Sequence, residues 1–184
     1  VCSSDLHTMG ALLPPVSLGR KAKAVVAGGE HTCALLDNGT VKCWGSNDFG
    51  QLGQESTAAI GDGSDELGGE LDPVDLGRGR KATAIAAAYA STCALLDNGS
   101  VKCWGYNGDG ELGLGDNVPR GTSSDSMGDY LPTLNIGGSR RVIAITSGGS
   151  HYCALLDDRS ARCWGYNSYG ALGLGDSETR GDNL

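Results

Sequence analysis

The sequence lacks several features that identify common classes of protein. No run of apolar residues approaches the roughly 18 that cross a membrane. The first residues show no basic segment followed by an apolar one, which is the pattern of a secretory signal. Lys and Arg number 14 against 22 Asp and Glu, a net charge of -8. Because this surplus repels phosphate groups, we do not expect nucleic acid as a partner.

Features of catalysis are also scarce. The chain holds three histidines, His7, His31 and His151, and no Gly-x-Ser-x-Gly elbow ahead of a helix. No titratable residue recurs beside an obvious partner. These absences predict a protein that is not an enzyme and that uses no metal or other cofactor.

What the sequence does contain is a repeat of 60 residues. Its three copies read HTCALLDNGTVKCWG from residue 31, STCALLDNGSVKCWG from 91 and HYCALLDDRSARCWG from 151. A fixed period of this kind indicates a repeat architecture, in which each unit is one small structural motif. We treat 1–184 as a single repeat domain, with units at about 1–53, 54–113, 114–173 and 174–184, the first and last being partial.

Each copy contains the pattern of a β-hairpin. In the first copy, TCALL and TVKCW flank Asp-Asn-Gly, a strong hairpin turn. If Gly39 takes the left-handed position of a three-residue loop, Cys33 faces Cys43 across the hairpin. The third copy has Asp-Asp-Arg at 157–159, so we expect its loop to be more strained or differently shaped.

Two further strand candidates precede each later hairpin: PVDLG and ATAIAAA before the second, PTLNIGG and RVIAITSGG before the third. Four short antiparallel strands in 60 residues, without helical periodicity, are typical of a β-propeller blade. The sequence therefore predicts an all-β fold of about three four-stranded blades. Blades bury both faces against their neighbours, which explains why Leu35 and Leu36 can both be apolar.

The ends of the sequence do not coincide with the ends of a repeat. Residues 9–18, MGALLPPVSL, match the late part of a unit, whereas the chain stops at RGDNL, before that part. The chain also opens on Val1, and residues 1–8 have no counterpart in the later copies. We therefore expect a piece of a larger propeller with a foreign N-terminus, or a chain that associates with itself to complete a ring.

The string WGxNxxGxLG, which begins at Trp44, Trp104 and Trp164, resembles the repeat of the regulator of chromosome condensation family. The resemblance implies a β-propeller, which has seven blades in family members. Those members include a chromatin-bound exchange factor for a small GTPase, a plant ultraviolet photoreceptor, a bacterial inhibitor of β-lactamase and secreted bacterial proteins.

Two of these functions need residues that the chain does not have. The photoreceptor has GWRHT segments, where this chain reads GGEHT, AYAST and GGSHY. The exchange factor docks on chromatin with a basic tail, which this acidic sequence does not offer. The spacing of His-x-Cys-Ala-Leu before Cys-Trp-Gly looks most like the exported bacterial members.

The seven cysteines divide into three pairs and the leftover Cys2. The pairs are Cys33 and Cys43, Cys93 and Cys103, Cys153 and Cys163. Residues opposed across an antiparallel pair lie about 4.5 to 5.5 Å apart at Cα, a distance that a disulfide tolerates. We predict three hairpin disulfides, each worth roughly 2.5 to 3 kcal/mol, and hence an oxidising location: periplasm, cell surface or medium.

Two other interpretations of the cysteines remain open. In one, they are reduced and buried in a cytosolic propeller, where they act as small apolar residues. In the other, His31, Cys33 and Cys43 bind zinc, as do His151, Cys153 and Cys163. Ser91 takes the place of the histidine in the middle copy, and the spacing of the cysteines is not that of a zinc knuckle.

Three smaller patterns each allow a functional and a structural interpretation. An acidic loop is either a calcium site or simply solvated; it contains Asp62, Asp65, Glu66, Glu70 and Asp72. Arg180-Gly181-Asp182 matches an adhesion tripeptide, although Arg120-Gly121-Thr122 occupies the equivalent place. The three tryptophans either stack on a ligand or pack blade against blade, and the asparagine three residues after each one suits a turn.

These observations favour a non-catalytic propeller scaffold of the exported bacterial type, which binds a protein or another macromolecule through loops that differ between copies. The candidate contact residues are Tyr106, Tyr130, Tyr166 and Tyr169. One alternative is a regulator of a small GTPase that acts as an exchange factor. Another is a secreted inhibitor that blocks the active site of an enzyme.

Overall fold

The computed structural model describes residues 13–136, 138 and 140–182. Within these residues nine strands form three antiparallel sheets, and the strands of each sheet are consecutive in the chain. The first sheet contains β1 (Ala22–Ala27), β2 (His31–Leu36) and β3 (Val41–Gly45). The second contains β4 (Ala82–Ala87), β5 (Ser91–Leu96) and β6 (Val101–Gly105), and the third β7 (Val142–Ser147), β8 (His151–Leu156) and β9 (Ala161–Gly165).

The all-β prediction is therefore confirmed, and a short 3₁₀ turn (Gly128–Tyr130) lies in the long connection between β6 and β7. The predictions for Cys2 and for residues 1–8 concern a part of the chain outside the described residues.

The hairpin turns have the predicted three-residue form. Cys33 lies opposite Cys43, and the backbone N–H of Leu36 donates to the Thr40 carbonyl at 2.9 Å. Gly39 has a φ of 85°, a conformation that costs glycine little because it has no Cβ. The Asn38 side-chain oxygen accepts the backbone N–H of Thr40 at 3.2 Å. The period of the sequence thus fixes the strand register correctly.

The turn of the third hairpin keeps the same shape and carries strain. The Leu156 N–H donates to the Ser160 carbonyl at 2.9 Å, as in the first hairpin. Arg159 occupies the position of the glycine and has a φ of 72°. For a non-glycine residue this left-handed conformation costs roughly 1 to 2 kcal/mol. Of the two expectations for this loop, strain is correct and a different shape is wrong.

The fourth strand of each blade differs from the prediction. Residues 73–77 and 132–136 form no regular strand. The Val74 N–H donates to the Val41 carbonyl at 2.8 Å, and the Leu134 N–H makes the same bond to Val101 at 2.9 Å. Each segment therefore lies beside the last strand of the preceding hairpin, and not beside the hairpin that follows it.

Pairing of this fourth segment stops after one backbone bond for two reasons. Pro73 has no N–H to donate. The Asp75 carbonyl accepts the Gly128 N–H at 3.1 Å, so it points toward the next connection along the chain and not toward the sheet. An isolated bridge at the end of the last strand recurs in each blade, between Gly45 and Ile60, Gly105 and Arg120, and Gly165 and Arg180.

The hydrophobic core lies between the sheets. Alternate residues of the central strand β5 face opposite neighbours. Ala94 and Leu96 pack toward the first sheet in one buried cluster, and Cys93 and Leu95 pack toward the third sheet in another. This arrangement is why adjacent strand residues are apolar, and it places three sheets face to face as stacked blades.

Candidate binding surface

Tryptophan holds each blade junction together. At the first junction the Trp104 indole N–H donates to the Gln51 carbonyl at 3.0 Å, and the Thr92 hydroxyl donates to the same carbonyl at 3.0 Å. His31 Nε2 lies 2.8 Å from the Thr92 hydroxyl oxygen. Residues of two blades are therefore bound through one backbone carbonyl.

The second junction repeats the tryptophan bond with other neighbours. The Trp164 indole N–H donates to the Glu111 carbonyl at 2.8 Å, and its ring stacks on Tyr152 at 5.8 Å between centroids. The Tyr152 hydroxyl accepts the Ala88 N–H at 3.1 Å and lies 2.9 Å from the Ser91 hydroxyl oxygen. Trp104 and Trp164 are buried at the junctions, as the packing interpretation expects, whereas Trp44 is half-buried.

Burial at the two junctions shifts two titratable groups. Loss of water lowers the pKa of His31 from 6.5 to about 4, so its imidazole is neutral at pH 7. Burial likewise raises the pKa of the Tyr152 phenol, which stays protonated. Both groups therefore act at neutral pH as uncharged hydrogen-bonding partners.

The asparagine that follows each tryptophan binds local backbone, as predicted for a turn residue. The Asn47 side-chain oxygen accepts the Leu52 N–H at 2.9 Å, and its amide nitrogen donates to the Ser56 carbonyl at 2.7 Å. Asn107 and Asn167 make the same bond to the residue five positions later. These buried amides shape the loop that follows each hairpin.

The structure joins the cysteines of each hairpin in a disulfide, with a Cα–Cα distance of 4.1 Å in all three. The first two disulfides are fully buried because their sulfur atoms face the next sheet. The third, Cys153–Cys163, is half-buried, because no further sheet covers that face in the described residues. Sulfur atoms bonded in this way offer no thiolate to zinc, and His31 Nε2 is directed to Thr92.

The acidic loop and the adhesion tripeptide both make internal contacts. Glu66 accepts the backbone N–H groups of Gly61 and Gly63 at 2.7 and 2.9 Å, which lowers its pKa. In the described part of the chain, no three acidic, histidine or cysteine side chains are grouped as metal ligands. Arg180 pairs with Asp176 at 2.8 Å, as Arg120 does with Asp116 at 2.7 Å.

One end of the sheets presents an aromatic surface. The Tyr106 N–H donates to the Ala90 carbonyl and the Tyr166 N–H to the Ser150 carbonyl, both at 2.9 Å. These bonds hold the loop after each hairpin against the turn between the first two strands of the same blade. We call this end, with its side chains Phe49, Tyr89, Tyr106, Tyr166 and Tyr169, the aromatic end.

Three of the four candidate tyrosines lie at the aromatic end, and one does not. Tyr169 is 92% exposed, and the ring of Tyr106 meets Phe49 edge to face at 5.0 Å. Tyr130, which is 71% exposed, belongs to the 3₁₀ turn and lines a separate hollow with Asp75 and Arg78. The four therefore do not form a single surface.

A pocket of about 300 Å³ opens at the aromatic end, where the three blades meet. Its lining includes Phe49, Tyr89, Tyr106, Ser91, Glu111 and Ser150. Burial raises the pKa of Glu111, and burial together with the charges of Asp109 and Glu111 raises the pKa of Tyr106. We call this the aromatic pocket.

Sequence reasoning missed Tyr89, Phe49 and Glu111 as site residues. Tyr89 is 63% exposed, and its backbone bridges the blades: its N–H donates to the Gly149 carbonyl and its carbonyl accepts the Gly29 N–H. A signal is present in the sequence, because Tyr89 occupies the position at which the other two copies have Gly29 and Gly149. A large exposed aromatic in place of a repeated glycine marks a position at which this copy differs from the repeat pattern.

The stacked three-stranded blades and the tryptophan bonds between them define a β-propeller repeat protein. The profile of the "Regulator of chromosome condensation (RCC1) repeat" matches residues 22–51, 82–111 and 142–171, and a second profile of that description matches 98–155. The chain belongs to the RCC1 repeat family. Among the described residues, no helix reaches the length and apolarity that a bilayer crossing requires.

Curated relatives include the Arabidopsis thaliana ultraviolet-B receptor UVR8, 29% identical over 86% of this chain and 32% of the receptor. Another is the A. thaliana mitochondrial RCC1 domain-containing protein RUG3, 31% identical over 90% of this chain and 35% of its own length. The chain thus spans about a third of the length of these relatives.

Solved structures show the same fold. Prp20p of Saccharomyces cerevisiae superimposes with a TM-score of 0.64 at 24% identity, over 87% of this chain and 37% of Prp20p. Human WBSCR16 superimposes with a TM-score of 0.66 at 20% identity, over 90% of this chain and 39% of the human one.

Proposed function

We propose that this chain is a non-catalytic scaffold that binds a protein partner through its aromatic end. The observation that carries the proposal is the contrast between the frame, by which we mean the repeated hairpins with their disulfides and buried asparagines, and the loops that follow them. The hairpin register, the disulfide and the buried Asn recur in every blade. The loops at the aromatic end differ between copies and expose aromatic rings, which are enriched where proteins bind one another.

Photo-crosslinking tests this proposal. Benzoylphenylalanine replaces Tyr169 at the aromatic end or, as the control, Asn98 in the opposite hairpin turn. Irradiation in the native extract is expected to give a discrete protein adduct from position 169 and none from 98. Equal adducts from both positions, or none from 169, would contradict the proposal.

The same experiment addresses the regulatory alternative. Prp20p, which shares the fold, binds Gsp1p and histones. An adduct at position 169 that contains a small GTPase would favour an exchange factor or another GTPase regulator over a scaffold for a different partner.

We also propose that the protein is exported to an oxidising location. The three hairpin disulfides support this, because such bonds persist outside the reducing cytosol. Fractionation of the source cells is expected to place the protein in the surface, periplasmic or medium fraction. Recovery with a cytosolic marker would contradict this location and leave the binding role unchanged.

A further inference from the structure

The aromatic pocket has walls suited to a positive charge. Phe49, Tyr89 and Tyr106 line it, and Phe49 and Tyr106 meet edge to face at 5.0 Å. The faces of aromatic rings attract ammonium and guanidinium groups through the ring quadrupole. A volume of about 300 Å³ is at the small end for ligand pockets, which suits a single side chain.

A buried carboxylate is among the residues that line this pocket, although the fold does not require one there. Glu111 Oε2 accepts the Asp109 N–H at 2.9 Å. In the first blade Gln51 has the same role, since its Oε1 accepts the Phe49 N–H at 2.9 Å. An uncharged amide therefore satisfies the loop, and the charge of Glu111 is additional.

That charge is costly where it lies. Glu111 is 2% exposed, and burial raises its pKa because water no longer stabilises the ionised form. A cation bound in the pocket would offset the cost by supplying an opposite charge at close range. No lysine or arginine is among the described residues that line the pocket, so the chain itself supplies no such partner.

We propose that the aromatic pocket binds a lysine or arginine side chain of the protein partner. This inference rests on the proposed function and names the chemistry of the partner. The whole chain is complementary to such a partner, because its net charge is -8. The cationic head lies among the three rings next to Glu111, and the aliphatic stem of the side chain leaves toward solvent.

Small probes test the pocket without the partner. The full chain is titrated with butylguanidinium, butylammonium or uncharged 1-pentanol, and the ring resonances of its tyrosines are followed by NMR. Both cations are expected to shift Tyr89 and Tyr106 saturably and to bind about fivefold or more tightly than pentanol, consistent with about 1 kcal/mol for a cation on aromatic rings. Tyr130 serves as the internal control and should not shift.

Two variants have matched residues elsewhere in the chain, so each should fold. Glu111→Gln copies Gln51, and Tyr89→Gly copies Gly29 and Gly149. Glu111→Gln is expected to weaken cation binding about fivefold and to leave pentanol binding unchanged, because it removes only the charge. Tyr89→Gly is expected to weaken cation binding by a similar factor. Pentanol that binds as tightly as the cations would show an apolar pocket and overturn the proposal. Unchanged cation binding in Glu111→Gln, or no saturable shift with either cation, would also overturn it.

The probes distinguish this inference from the proposed function. If the titration fails but position 169 gives a discrete adduct, the cation pocket is excluded and the proposed binding scaffold stands. If the titration succeeds but position 169 gives no adduct, the pocket binds cations but does not serve a partner at the aromatic end.

Discussion

The two blade junctions share one bond and differ in the pair of side chains beside it. Tryptophan donates to a backbone carbonyl in both. At the first junction the large side chain is His31 and the small one is Thr92; at the second, Ser91 is small and Tyr152 is large. The loss of the histidine in the middle copy is thus matched by a larger residue across the junction.

This comparison explains a pattern that looks chemical in the sequence. A histidine two residues before a cysteine, in two copies of three, allows a zinc site as one of the interpretations of the sequence. In the structure His31 fills space and makes one side-chain hydrogen bond, through Nε2 to Thr92, and Ser91 takes the equivalent place with Tyr152 across the junction. The variation at these positions therefore reflects packing between neighbouring blades, whereas a varying residue such as Tyr169 at the aromatic end is 92% exposed.

The largest expected effect comes from breaking the size match at the second junction. Tyr152→Thr removes a buried ring and leaves the Ala88 N–H and the Ser91 hydroxyl without their partner. We expect the free energy of unfolding to fall by about 3 kcal/mol or more. The double variant Ser91→His with Tyr152→Thr copies the first junction and should recover a large part of the loss. Urea unfolding measures both variants. If the double variant loses as much stability as Ser91→His and Tyr152→Thr do singly when summed, the size match is contradicted.

Removal of the middle disulfide tests the covalent part of the frame. Replacing Cys93 and Cys103 by alanine opens a loop with a sequence separation of 10. The expected loss in unfolding free energy is about 2.7 kcal/mol from chain entropy, with a further loss of packing. The same change at Cys153 and Cys163, which are half-buried, should cost less because less packing is lost. If urea unfolding shows that the variant without Cys93 and Cys103 is as stable as the parent chain, the stabilising role of this disulfide is contradicted.

The first junction should also respond to pH. His31 has a folded pKa of about 4 against 6.5 when free, so in this window the unfolded chain binds a proton that the folded chain does not. Stability is full above pH 6.5 and falls as the pH decreases, by up to about 1.4 kcal/mol per pH unit. His31→Gln should lack this component. The difference between the two unfolding curves from pH 7.5 to 4 measures it, and parallel curves would exclude it.

The smallest expected effect concerns the hairpin turns. Arg159→Gly gives the third turn the residue that the first two have, and should raise the unfolding free energy by about 1 kcal/mol by removing the left-handed strain. Gly99→Ala in the second turn, where φ is 82°, should lower it by a similar amount. Thermal unfolding detects both shifts. A lower melting temperature for Arg159→Gly would show that the strain is absent.

Much of the frame could be predicted because the repeat fixes it. The spacing between each cysteine pair and its turn residues determines the register, so Cys33 lies opposite Cys43 as the sequence indicates. The role of Asn47 follows from the turn chemistry of its residue type. These features depend on contacts within one hairpin and its loop, which a sequence pattern describes well.

Contacts between blades could not be predicted in the same way. They depend on how one blade lies against the next, and a pattern within one unit does not encode that. The pairing of His31 with Thr92 joins residues 61 positions apart. The sequence order favours pairing of the fourth segment with the following hairpin, whereas the Val74 bond places it beside the preceding one. The aromatic pocket draws on three blades at once, so the sequence marks Tyr89 as unusual but does not show that its backbone bonds to Gly29 and Gly149.

The three hairpin disulfides support both the rigidity of the frame and its proposed location, so their state in the native protein is the most direct test. Protein isolated from its source is alkylated without reductant, digested and mapped by mass spectrometry. The expected result is three linked peptide pairs, Cys33 with Cys43, Cys93 with Cys103 and Cys153 with Cys163. Six alkylated cysteines would contradict the covalent frame and the oxidising location together.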